Sequence, residues 1–365
     1  MKILIPVLGF GNSGGNRVLS KLADELIRIG HCVEFLSPNT SDLPYFPTLG
    51  SILWVDRKGN IISNHNERIK KATALSNQTS LLKALSKLDT KPYDVIIANQ
   101  SLTTIPIKIA GLAHKTIYYV QAYEPDYYHL IPTFKNKILE FLSIYSYRMN
   151  LFTIVNAEVY LKFKKLTAAR VLYPGIDFKN FYPGQKEIKK KEDEIIIGTI
   201  GRIEPQKGSR YVLDAFNELR KTYRNIKLYV AFGKQEDFVG LEDVYCFQPH
   251  GDIALGDFYR KLDYYFCGGF LQLGAFHYPV AEAMSCGVSL ITTPYYPADN
   301  NNSWTVRPKD AADIIDKFEI AYNNDELREK KIQQALKDVQ QFEWKIVGEK
   351  LNTYLNEFLR NRNNL

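Results

Sequence analysis

Along the first half of the chain, short runs of β-branched and aromatic residues alternate with longer stretches whose apolar positions recur every three or four residues. The runs at 2–8, 32–37, 94–98, 116–121 and 151–156 predict strands, and 18–29, 79–88 and 134–149 predict helices between them. Nearly continuous apolar strands separated by amphipathic helices are the pattern of a parallel sheet covered on both faces. A short strand near 171–174 leads into a turn at Pro174-Gly175 and then into 185–194, a stretch dominated by Lys, Glu and Asp that predicts a linker. A second series follows, with strands at 195–200, 227–232, 244–248, 264–267 and 289–292, and 310–362 reads as almost wholly helical. The expectation is two α/β domains: 1–176, with 345–365 packing back on it, and 177–344.

A length of 365 residues agrees with two such domains and a cleft between them. The apolar share of 45% and charged share of 24% exclude a disordered or fibrous chain. The longest mainly apolar stretch, 138–155, is interrupted by Glu140 and Arg148 and makes a poor membrane span. The apolar run after Met1-Lys2 meets glycines where a signal peptide would carry a small-residue cleavage site, so a buried first strand is predicted. Cys32, Cys246, Cys267 and Cys286 lie far apart with no Cys-x-x-Cys pair, which points to a reducing cytoplasm.

The net charge of +7 is uneven: 1–176 holds 21 Lys and Arg against 12 Asp and Glu, and the remainder holds 26 against 28. Such a field favours an anionic partner for the first domain, unless many of these lysines are simply solvated helix faces. Within it, Lys135 and Lys137 precede Ile138, Leu139, Phe141, Leu142, Ile144, Tyr145 and Tyr147. That stretch suits either a packed amphipathic helix or one lying on the inner face of an anionic membrane.

The most specific segment for chemistry is 198–208, Gly-Thr-Ile-Gly-Arg-Ile-Glu-Pro-Gln-Lys-Gly, which leaves a strand and supplies Arg202 and Lys207 before a helix. Two cations aimed at one anion suit a diphosphate whose charge grows as a bond to it breaks; solvated loop charges are the plainer reading. In the first domain, Gly9, Gly11, Gly14 and Gly15 join strand to helix, with Arg17 just behind. Backbone amides and a positive helix end are thereby placed at the sheet's C-terminal edge. Gln121, Tyr123 and Glu124 end another strand, and Glu124 or Asp126 offers a carboxylate as base. The six histidines are scattered, so no metal site is predicted.

Gly201-Arg202-x-x-x-x-Lys207-Gly208 resembles the donor site of family four retaining glycosyltransferases, which have the GT-B fold of two facing Rossmann-like domains with a C-terminal helix crossing back to the first. Residues 275–287, Ala-Phe-His-Tyr-Pro-Val-Ala-Glu-Ala-Met-Ser-Cys-Gly, resemble the family's Glu-Gly-Phe-Gly-x-Pro-x-x-Glu-Ala-Met-Ala-Cys-Gly. The resemblance implies leaving-group stabilisation by Arg202 and Lys207, a ribose contact at Glu282, and donor contacts at Gly14, Gly15, Gly201, Gly233, His277, Tyr278, Pro279 and Val280. It puts Arg17, Gln121, Tyr123, Glu124 and Asp126 on the acceptor side and lets the leaving phosphate take the acceptor's proton. The family's first glutamate falls at Gly274, so no carboxylate holds the sugar there. His277-Tyr278-Pro279 and 119–124 are similar to a rhamnosyltransferase-like subset that also lacks it, which suggests a deoxy-sugar.

The reading that follows is transfer from a uridine or deoxythymidine diphosphate sugar to a glycan or lipid-linked glycan of a surface polysaccharide, with no cofactor, no metal and no nucleic acid partner. Two rivals are a nucleotide-sugar epimerase of the same fold and a non-catalytic glycan- or nucleic-acid-binding protein using the basic half.

Overall fold

The computed structural model describes residues 1–63, 65, 72–168, 170–184, 193–201, 204–238 and 240–363. They form two compact units, Met1–Gly175 with Trp344–Leu365, and Ile176–Glu343. The expected linker, 185–194, falls mostly outside the described residues.

The first unit runs β1 (Lys2–Pro6), α1 (Gly14–Arg28), β2 (Cys32–Pro38), β3 (Ser51–Val55), β4 (Ile61–Ile62), α2 (Ala74–Lys87), β5 (Val95–Ala98), α3 (Ser101–Ile109), β6 (Thr116–Val120), α4 (Glu124–His129), α5 (Phe134–Tyr147), β7 (Phe152–Val155) and β8 (Arg170–Val171). Its sheet has the order β4-β3-β2-β1-β5-β6-β7-β8, parallel except where β4 pairs with β3. The sequence series β1, β2, β3, β4 moves one way from β1, and the next strand, β5, lies on β1's other side. The order therefore reverses between β1 and β5, the place where loops of such sheets part to admit a ligand. Ile3, Leu4, Val95, Ile96 and Ile117 are fully buried, as strands covered on both faces require.

Helices α1 and α2 begin four and five residues ahead of expectation. Ser13 and Thr73 cap them, each side-chain oxygen accepting an N–H, from Asn16 at 3.4 Å and Ser76 at 3.3 Å. Gly14, Gly15 and Asn16 open α1, and in α2 Ser76, Asn77 and Gln78 follow Ala74 and Leu75, so neither start carries an apolar period to read.

The second unit runs β9 (Ile195–Ile200), α6 (Ser209–Thr222), β10 (Ile226–Ala231), β11 (Val244–Phe247), α7 (Gly251–Arg260), β12 (Tyr264–Cys267), α8 (Tyr278–Ser285), β13 (Ser289–Thr292), β14 (Trp304–Thr305), α9 (Ala311–Tyr322) and α10 (Asp325–Asp338). Its described strands pair in parallel in the order β11-β10-β9-β12-β13-β14, reversing between β9 and β12. Helix α6 buries Val212, Ala215, Phe216 and Leu219, one face at helical spacing, against that sheet.

A final helix, α11 (Trp344–Asn363), belongs to the first unit. It buries Trp344, Val347, Leu351, Leu355 and Phe358, again one face. Gly348 lets it approach α1 closely, since a Cβ there would lie 2.5 Å from the Cβ of Glu25. Arg170 Nε donates to Glu357 at 2.8 Å, and Tyr354 Oη to the Val171 carbonyl at 3.1 Å, fixing α11 beside the edge strand β8.

Candidate functional site

In the second unit the two loops at the sheet's reversal point are docked on each other. After β9, the Gly201 N–H donates to the Ala231 carbonyl at 2.8 Å, and a Cβ on Gly201 would stand 3.0 Å from Gly233 Cα, so the ends of β9 and β10 converge. Arg202 lies outside the described residues. A 3-10 turn at Pro205–Lys207 then leads to Gly208, whose φ of +70° is the left-handed conformation that glycine tolerates. A Cβ there would stand 1.8 Å from the carbonyl oxygen of Gly268, just beyond β12. The Phe270 N–H donates to the Gln206 carbonyl at 3.1 Å. Lys207 is thus carried next to the end of β12: burial pushes the Cys267 thiol up, and the Lys207 ammonium is among the groups that pull it back.

The loop from β12 to α8 is tied to the end of β13. Thr293 Oγ1 donates to the Gly269 carbonyl at 2.6 Å, Tyr295 Oη to the Leu271 carbonyl at 2.8 Å, and the His277 N–H to the Tyr296 carbonyl at 2.9 Å. The His277 ring stacks on Tyr295 with centroids 4.4 Å apart and planes 14° from parallel. Gly274 has φ +84° and donates its N–H to the Pro294 carbonyl at 2.8 Å. A glutamate at this position would be strained, which gives the departure from the family's motif a backbone cause.

Helix α8 starts at Tyr278 with Pro279 second, a placement that its missing N–H permits. Val280 is fully buried, and its N–H and that of Ala281 return to the His277 carbonyl, each at 3.1 Å. Glu282 is only 2% exposed, and Tyr259 Oη of α7 donates to its Oε2 at 3.1 Å. Burial and the neighbouring Glu282 carboxylate hold the Tyr259 phenol well above its ordinary range, so Tyr259 stays a donor. Sequence reading missed Tyr259 and Tyr295, because neither has a spacing that marks it.

In the first unit the loops after β1, β5 and β6 enclose a cavity of about 240 Å³, lined by Ser13, Gly15, Asn16, Asn99, Gln100, Gln121 and Glu124 among others. Gly14 and Gly15 open α1, and Gly15 lies against the Gln121 amide, 3.4 Å from its Oε1 to where a Cβ would be. That Oε1 is buried and accepts no hydrogen bond among the described residues, an acceptor open to a ligand donor. Arg17 is buried in the first turn of α1.

Glu124, expected on the acceptor side and offered with Asp126 as an alternative base to the leaving phosphate, lines this cavity and also holds α3. Its Oε1 accepts the Ser101 N–H at 2.8 Å, and its Oε2 accepts the hydroxyls of Ser101 at 2.5 Å and Tyr128 at 3.4 Å. It caps α3, whose first N–H would otherwise be orphaned. Burial raises its pKa above the usual carboxylate range, and these hydrogen bonds oppose the rise. Tyr123 is packed away, stacked on Phe163 at 3.8 Å and on Tyr147 at 5.7 Å. Asp126 is half-buried in the first turn of α4. A larger cavity, about 450 Å³, lies between 299–301 and α10 and contains none of the expected site residues. Among the described residues no three side chains are grouped to hold a metal ion.

Residues 184–338 match the family model "Glycosyl transferases group 1". No curated protein sequence matches the chain significantly. Among solved structures, sucrose-phosphate synthase from Thermosynechococcus elongatus superposes with a TM-score of 0.78 at 14% identity, covering 99% of both chains. Anabaena HepE in complex with UDP-glucose gives 0.70 at 15% identity, covering 98% of this chain and 100% of its own. A putative UDP-N-acetylglucosamine 2-epimerase from Listeria monocytogenes gives 0.61 at 12% identity, covering 99% and 97%. At these identities the likeness is one of fold. The chain thus has the GT-B fold, and its residues 184–338 match the group 1 glycosyl transferases.

Proposed function

We propose that this protein is a retaining, metal-independent glycosyltransferase that takes a nucleotide diphosphate sugar on its second unit and a glycan or lipid-linked glycan acceptor on its first. The observation that carries this reading is the contact of Gly208 with Gly268, which seats Lys207 at the reversal point of the sheet inside the region matching the group 1 family. A cation there, to which the family's motif adds Arg202, stabilises the diphosphate most when the bond from the anomeric carbon to the phosphate oxygen is breaking. The acceptor oxygen bonds to that carbon on the face the leaving group vacates, and its proton passes to the departing phosphate, leaving a nucleoside diphosphate. Glu124 is committed to capping α3, which favours the phosphate over that carboxylate as the base.

The left-handed backbone at Gly274, which disfavours a glutamate, supports a sugar that needs no carboxylate partner there, and a deoxyhexose such as rhamnose fits that description. The open Gln121 oxygen beside Gly15 supports hydroxyl recognition in the first unit's cavity. Synthesis of a surface polysaccharide, such as a lipopolysaccharide, at the cytoplasmic side of the membrane is the setting this reading implies.

The epimerase reading is favoured only by the Listeria neighbour's fold. Incubation with a panel of nucleotide-sugars separates the two: transfer releases nucleoside diphosphate only when acceptor is added, whereas an epimerase consumes donor alone. Lys207→Ala is expected to slow release by roughly two to three powers of ten. An unchanged rate, or no thermal stabilisation of the wild type by any nucleoside diphosphate, overturns the proposal.

A further inference from the structure

Helix α5 packs with its faces reversed. The side it buries carries Ser143, Ser146 and Tyr147, and the side it shows to solvent carries Phe134, Ile138, Phe141 and Tyr145, spaced four, three and four residues apart. Phe134 is 82% exposed and Phe141 68%. The buried hydroxyls are satisfied locally, Ser143 Oγ donating to the Leu139 carbonyl at 2.8 Å and Ser146 Oγ to the Ser143 carbonyl at 2.7 Å. They let α5 sit close on α3, so packing within the unit accounts for the small face and leaves the large apolar face unexplained. Leu130 and Ile131, just before α5, and Ile109, at the end of α3, are exposed as well. A contiguous apolar patch of this kind marks an interaction surface.

Its charge identifies the occupant. Lys108, Lys135, Lys137 and Arg148 are all exposed at its border, and the Lys108 ammonium sits 5.3 Å over the Tyr145 ring. The one acidic residue of α5, Glu140, is half-buried and faces His129 at 3.8 Å. With 14 residues, α5 is about 21 Å long, too short for a hydrocarbon core of about 30 Å. Among the described residues no helix is long and apolar enough to cross a membrane.

We propose that this face docks on an anionic phospholipid surface, α5 lying in the plane of the interface with its aromatic and aliphatic side chains among the acyl chains. The four basic groups then sit at head-group level. The proposal stands apart from the donor reading, because lipid binding needs neither nucleotide nor acceptor.

Co-sedimentation of the whole chain with vesicles tests it. Binding is expected to equimolar phosphatidylcholine–phosphatidylglycerol vesicles and not to phosphatidylcholine alone, and is expected to weaken with salt. Phe134→Ser with Phe141→Ser should weaken it tenfold or more, on the order expected from the apolar area withdrawn. Lys135→Gln with Lys137→Gln should weaken it about fivefold per residue. All four positions are exposed, so both variants should keep the wild-type unfolding temperature; if the Phe pair fails to fold, the Lys pair decides. No binding to the anionic vesicles overturns the proposal, as does binding that neither variant changes. So does a wild-type dimer in light scattering that the Phe pair dissociates, since the patch would then seat a second copy.

Discussion

Glu124 shows how a residue chosen for chemistry can be held by architecture. A carboxylate after a strand, beside Pro125 and Asp126, reads in sequence as a candidate base, and nothing in the spacing announces that Ser101 will present both an N–H and a hydroxyl to it. Burial raises its pKa from an ordinary 4.5, so the folded chain holds that proton more tightly than the unfolded chain does. Its contribution to stability is therefore full below about 4.5 and is lost as pH rises through the raised value. Glu124→Gln is expected to cost about 0.5–1.5 kcal/mol at low pH, where it loses hydrogen-bond quality. It should also flatten the fall in stability on the alkaline side of that window. Denaturant titrations of both proteins across the window measure this, and parallel curves would rule out the linkage. At this scale the glycines were the most legible residues: Gly208 follows a strand and precedes a helix, and the structure gives its conformation a reason. Arg202 lies outside the described residues.

Among elements, those with an apolar period announced themselves, and those governed by capping or pairing did not. The strands at 195–200, 264–267 and 289–292 occur as expected because they are short runs rich in β-branched and aromatic residues between breakers. Helix α3 was not foreseen: Pro106 lies inside it and its first residues are Ser, Leu, Thr and Thr, so propensity and period both argue against it. It is sustained by Glu124 and by Gln100 and Thr103, which cap its start reciprocally. Strand β14 is two residues long and β4 likewise, below what any period can mark. The contact between the loops after β9 and β12 also belongs to this scale. Gly208→Ala forces a left-handed alanine and a backbone collision with Gly268, so the loops must part. Nucleoside diphosphate affinity, read by calorimetry, should fall at least about tenfold, the equivalent of 1.4 kcal/mol. An unaltered affinity would mean that the contact plays no part in holding the donor.

At the scale of the molecule, each unit has its own sheet and core, and only the first is assembled from separated stretches of chain. Removal of 344–365 strips Trp344, Val347, Leu351, Leu355 and Phe358 from it and uncovers the face of α1 beneath. Five such side chains contribute about 1.5–3 kcal/mol each, comparable with the whole stability of a domain. The truncated chain should therefore lose the first unit's cooperative unfolding and keep nucleoside diphosphate binding on the second, as hydrogen exchange with and without nucleotide would show. Protection of 1–175 that survives the truncation would contradict this division.

That arrangement also dictates an order of events on the ribosome. The segment that closes the first unit is translated only after the whole of the second, so at about 5–20 residues per second the N-terminal sheet waits roughly 10 to 40 seconds with the groove for α11 bare. The second unit, whose residues 176–343 are contiguous, needs no later segment to complete it. Completion of the first unit thus waits on synthesis of the second, and through that wait the nascent N-terminal half exposes apolar surface of the kind chaperones bind.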